Sequence, residues 1–247
     1  SLVYNSQAWE TYEVDGCSSP TMPTFGRVRP NRISNAGLGW TVGFGHLWRG
    51  DEVADNDTGA WLYVSADGAQ HVFHNRLKST DLEDPGDTAN PNNSTYLYTR
   101  DGSFLRLRVV SGQFQEIDFP DGTIHKFQHA DGVGSRLVEM RDRYVNGSGQ
   151  PLNWMRIAYT ASNWTITDST GRSHTVTLGA SSPELPQVVT QVSLMAFDNP
   201  ATPAVDLATF NLSYHPNTSL PRPVPHQNLG DICSPAPNPN VSVPLLS

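Results

Sequence analysis

The chain has 247 residues, 37% of them apolar and 16% charged, with 20 Gly and 19 Pro. Gly and Pro stay below the ~25–30% of low-complexity chains, and the apolar content suffices for a sizeable core, so global disorder is excluded. A formal net charge of −8 disfavours nucleic acid and anionic membrane as main partners, since both call for clustered basic residues.

In chain order, residues 1–50 read as opening strands and a loop. The start, Ser1-Leu2-Val3-Tyr4, carries neither an initiator Met nor a signal-peptide pattern, and Leu245-Leu246-Ser247 ends in an apolar stretch. Both ends read as cut, the expectation being a fragment of a longer chain. Residues 16–36, with Pro20, Pro23 and Pro30, read as a long loop. Cys17 and Cys233 either form one disulfide joining the two ends or are unrelated thiols, the reading preferred. No run of ~18 apolar residues is present to span a membrane as a helix.

Residues 51–214 carry the strongest pattern, which is period-two alternation. Leu105, Leu107 and Val109 alternate with arginines, and Met155, Ile157 and Tyr159 alternate with Arg156 and Ala158. The same holds for Trp164 and Ile166, for His174, Val176 and Leu178, and for Phe210, Leu212 and Tyr214. Such strands bury one face and wet the other, as antiparallel sheets do. Tight turns punctuate them at Asp67-Gly68, Asp101-Gly102 and Asp121-Gly122, with a longer version from Asp168 to Gly171. Successive acids at Asp101, Asp121, Asp142 and Asp168 are 20, 21 and 26 residues apart, a degenerate repeat of hairpin-sized units. The expected fold is all-β, a curved or spiralling antiparallel sheet of repeated hairpins. Residues 215–247 read as a proline-rich excursion leading into a further, truncated repeat, with no central strand at that proline density.

Arginine outnumbers lysine 14 to 2. Placed on the wet strand faces beside Asp and Glu, it predicts cross-strand ion pairs.

The segment Leu2-Val3-Tyr4-Asn5-Ser6-Gln7, followed by Gly37-Leu38-Gly39-Trp40, resembles the start of the repeat region in the RHS/YD-repeat (rearrangement hotspot) family. Tyr98-Thr99-Arg100-Asp101-Gly102-Ser103-Phe104-Leu105-Arg106-Leu107 is similar to an early segment of such proteins, and Arg136–Gly147 to the repeat core. Order and spacing over residues 2–178 carry the likeness; residues 179–247 match weakly. The resemblance implies part of a β-shell, spiralling and hollow, that encloses a C-terminal toxin or effector in a large secreted or surface bacterial protein. The family's self-cleaving aspartate motif has no counterpart here.

Hydrolase and nucleotide-binding motifs are missing. His125 and His129 fall on one strand face and could meet a metal, although solvated residues flanking Phe127 are the plainer reading. Asp51, Asp55 and Asp57 are weak calcium candidates, as the loop lacks the closing Glu. Trp40, Trp48, Trp61, Trp154 and Trp164 could stack on sugars, and sheet packing is the commoner use. The expectation is therefore a non-enzymatic structural segment without cofactors, its partners the remaining repeats and C-terminal domain of the same chain. The alternative is a glycan- or calcium-dependent surface adhesion module.

Overall fold

A computed structural model describes residues 2–4, 8–14, 25–31, 33–49, 61–74, 96–109, 114–130, 134–180, 185, 187–196, 206–221 and 240–247. The described residues form strands and turns only, so no helix among them is long and apolar enough to cross a membrane. The fold is all-β and antiparallel, as the alternation predicts.

Thirteen strands make one sheet. They are β5 (His46–Arg49), β6 (Trp61–Val64), β7 (Gln70–His74), β8 (Tyr96–Thr99), β9 (Arg106–Val109), β10 (Phe114–Asp118), β11 (Ile124–His129), β12 (Ser135–Arg141), β13 (Trp154–Tyr159), β14 (Asn163–Asp168), β15 (Ser173–Ala180), β16 (Gln187–Met195) and β17 (Asp206–Asn211). From β5 to β12 each strand pairs with the next, and β12 also pairs with β5, which closes the ring through Ser135↔Leu47 and Arg136↔His46. Closure leaves the barrel without a free edge.

The barrel interior is packed. Leu47, Tyr63, Phe73, Leu97, Leu107, Ile117, Phe127 and Leu137, one residue from each strand, are buried and belong to one apolar cluster. A small barrel of this kind is filled by its own side chains. The outer face carries the ion pairs. Arg106 faces Asp118 and Arg108 faces Glu116 directly across β9 and β10. Arg141 reaches over β11 to the buried Glu116, 2.9 Å away, and also bonds Glu139, which in turn holds Arg156.

At β12 the sheet forks. Its first residues pair with β5, while Glu139, Met140 and Arg141 pair with β13 on the same side. A register shift between these two stretches, opposite Lys126 and Phe127, marks a bulge at Val138. Beyond the fork, β13 to β17 continue as an open strip of antiparallel strands. Ile157, Trp164, Ile166, Val176 and Val189 on this strip join the barrel's apolar cluster.

Three two-stranded sheets complete the fold. β1 (Leu2–Tyr4) pairs with β4 (Trp40–Val42), β2 (Trp9–Val14) with β3 (Phe25–Pro30), and β18 (Tyr214–Pro221) with β19 (Asn240–Leu246). Residues 16–36 are therefore not one loop. β3 occupies its middle and ends on Pro30, which pairs with Trp9 at the end of the ladder, where a missing amide donor is tolerated. β18 likewise forms inside the proline-rich stretch, and among the described residues it pairs on one edge only, where proline is tolerated. β19 folds back on β18, and its Pro244 carbonyl accepts a hydrogen bond from the Leu38 amide. The expected alternation of Phe210 fails, since its side chain is 55% exposed on the outermost strand β17.

Candidate functional site

The sequence points first to the turns. Each uses its Asp in the same way. The Asp101 Oδ1 accepts the Ser103 amide at 3.0 Å and its hydroxyl at 2.5 Å. Asp168 does the same with Thr170, at 2.9 and 2.6 Å. Asp121 accepts the Thr123 amide at 2.8 Å and also its hydroxyl. Asp67 accepts the Ala69 amide and the Ser65 hydroxyl. Gly68, Gly102, Gly122 and Gly171 supply the left-handed residue. Hydrogen bonds to the ionised form hold all four carboxyls below their usual range. Burial opposes this at Asp168, where bonds from Thr170 and Arg172 outweigh it and leave a value of about 2.

Among the described residues no group of three or more His, Cys, Asp or Glu is placed to hold a metal ion. Burial lowers His125 to about 4, and its Nδ1 has no partner among the described residues. Its ring packs 4.3 Å from that of Phe119. Asp51, Asp55, Asp57, Cys17 and Cys233 lie outside the described residues. The nearest thing to catalytic geometry is His71, whose Nδ1 lies 2.7 Å from the Asp101 carboxylate. Among the described residues no hydroxyl is hydrogen-bonded to His71, so the pair lacks a nucleophile to activate.

A cavity formed by described residues lies at the fork. It measures about 350 Å³ and lies between the outer face of β5 and β12 and the strip. His46 and Arg136 are direct cross-strand partners at the barrel seam. His46 stacks on Trp48, with ring centroids 6.2 Å apart. The opposite wall is Tyr159 and Trp164, also direct cross-strand partners, in edge-on contact at 5.6 Å.

Tyr159 is fixed by the fork itself. The Leu137 carbonyl, at the point where β13 diverges from β12, accepts the Tyr159 hydroxyl at 2.7 Å. Arg136 lies over the Tyr159 ring, 5.4 Å from its centroid. Burial raises the Tyr159 hydroxyl above its ordinary range although Arg136 acts the other way, so it stays a donor at neutral pH. Burial and, secondarily, Arg136 lower His46 to about 4, leaving its ring neutral at pH 7.

Residues 33–45 form the third wall. Asn35 holds this segment by bonding Val42 in both directions, at 2.7 and 2.8 Å, while its carbonyl accepts the Val189 amide at 2.7 Å. Of the lining residues, Trp48 and Trp164 are among the sugar-stacking candidates of the sequence. His46, Arg136 and Tyr159 carry no local signal, because the closure and fork that join them link distant strands.

No protein-family model matches the chain, and no curated protein matches it.

Proposed function

We propose that the chain is a non-enzymatic β-scaffold segment in which a packed barrel anchors an outgoing strip of hairpins, a wall segment of an RHS-type shell. One observation carries this reading: β12 belongs to both parts, closing the barrel on β5 and launching the strip through β13. The Asp-centred turn lock recurs on both sides of the fork, at Asp67, Asp101 and Asp121 in the barrel and at Asp168 in the strip. The two pieces that resemble the family's repeat-region start also meet, as β1 pairs with β4. In this reading the partners are further repeats and a C-terminal domain of the same chain, in a secreted or cell-surface bacterial protein. The barrel is packed and encloses nothing, so any enclosed space belongs to the strip and the repeats added to it.

The strip's outermost strand, β17, pairs only with β16 among the described residues and exposes Phe210. Such an edge accepts another strand. Sedimentation of the chain over a range of concentrations is expected to show self-association that Phe210→Lys suppresses. A chain that stays monomeric at every concentration would count against an extendable strip. Turnover of glycan, ester or peptide substrates that vanishes in His71→Ala or His125→Ala would overturn the non-enzymatic reading.

A further inference from the structure

The cavity at the fork has a charge pattern at odds with the rest of the chain. Its lining holds no Asp or Glu, in a chain of net charge −8; of its two arginines, Arg29 stands opposite Glu10 in the β2–β3 register, and Arg136 stands opposite His46. Elsewhere Arg106, Arg108, Arg141, Arg156 and Arg172 each hold a carboxylate. Arg136 holds none among the described residues. Its company is the face of Tyr159 and the neutral ring of His46. A partly buried guanidinium that lines a cleft and holds no carboxylate has its donors open to an anion entering there.

The size and walls narrow the ligand. A cavity of about 350 Å³ is far larger than a bare anion needs. Trp48, Trp164 and Tyr159 contribute apolar ring atoms to its walls, only a small part of each tryptophan being exposed, against which the C–H groups of a sugar can pack. His46 and Ser34 add polar groups beside them. Apolar walls with a few placed polar groups are the usual make-up of a small-molecule site.

We propose that this cleft binds an acidic monosaccharide unit, a hexuronate-type ring whose carboxylate is taken by the Arg136 guanidinium and whose ring lies against Trp48 and Trp164. The planar fork of arginine matches a carboxylate with two parallel hydrogen bonds. The site shares the fork with the scaffold reading but does not need the strip to be extended, so loss of sugar binding and loss of self-association are separate outcomes.

The test is an NMR titration of the 247-residue chain, following the Trp48 and Trp164 indole N–H signals and the His46 ring. The probes are glucuronate, glucose, benzoate and inorganic phosphate. Glucuronate is expected to shift these three residues selectively and to bind at least about tenfold more tightly than glucose. Arg136→Gln should weaken glucuronate by at least about tenfold, and Arg136→Lys by a smaller factor. If Arg136→Gln fails to fold, the Arg136→Lys comparison and the glucose comparison on the unaltered chain decide. Shifts absent at millimolar glucuronate would overturn the proposal. So would glucose, benzoate or phosphate binding as tightly as glucuronate, or binding that Arg136→Lys leaves unchanged.

Discussion

Gly134 shows how a single residue can fix the barrel seam. Its φ is 68°, and a Cβ added there would sit 2.5 Å from the Trp48 ring. A side chain would thus meet both backbone strain and a clash with an indole that is itself buried against the cleft. Gly134→Ala is expected to destabilise the fold by about 3 kcal/mol, read as a lower urea midpoint at unchanged slope. An unchanged midpoint would mean that the Trp48 ring moves aside freely. Residue-scale features of this kind divide in how far sequence reveals them. The Asp-Gly turns are legible because their bonds run from residue i to i+2, within the motif itself. Arg136 is not legible, because an arginine's partner depends on which strands lie beside it, and nothing local distinguishes it from the paired Arg106 or Arg108.

At the scale of elements, β12 does two jobs, and the bulge at Val138 separates them. Where β13 leaves β12, the Leu137 carbonyl loses its place in the ladder and is satisfied by the Tyr159 hydroxyl instead. Tyr159→Phe keeps the ring under Arg136 but strands that carbonyl. The expected cost is about 1–2 kcal/mol, with faster amide exchange in β13 and little change in β9 and β10. Uniform loss of protection across the barrel would show that the fork is not a local device. The strands themselves were readable where one face is buried, as at Leu107 in β9 or Trp164 and Ile166 in β14. Reading failed where burial is weak or prolines dominate: β3 was hidden between Pro23 and Pro30, and Phe210 is exposed on an edge strand. A proline argues against a central strand, but among the described residues β3 and β18 are each paired on one side only.

For the whole molecule, closure was the step beyond the sequence, since β5 and β12 lie some ninety residues apart and, among the described residues, two residue pairs join them. That closure has a consequence for acid stability. It places His46 beside Arg136, while the barrel interior takes in His125, and both are held near 4 against an ordinary 6.5. In the unfolded chain both rings regain the ordinary value. Between pH 6.5 and 4 the unfolded state therefore binds more protons than the native state, and stability falls as pH falls. The contribution is fully present above 6.5 and gone below 4. At 1.36 kcal/mol for each pKa unit, each histidine contributes on the order of 3 kcal/mol at most, less for His46 with its partial exposure to the cleft. The turn aspartates act lower down. Asp168, at about 2 against 3.8, holds its contribution above 3.8 and loses it as pH drops through 2. Two separate acid steps are expected in the urea midpoint as a function of pH, the larger lying above 4. His125→Gln removes one of its two titrating groups and should flatten that step by roughly half, leaving the aspartate step in place. A midpoint constant from neutral pH down to about pH 4.5 would show that neither ring is held neutral by the fold.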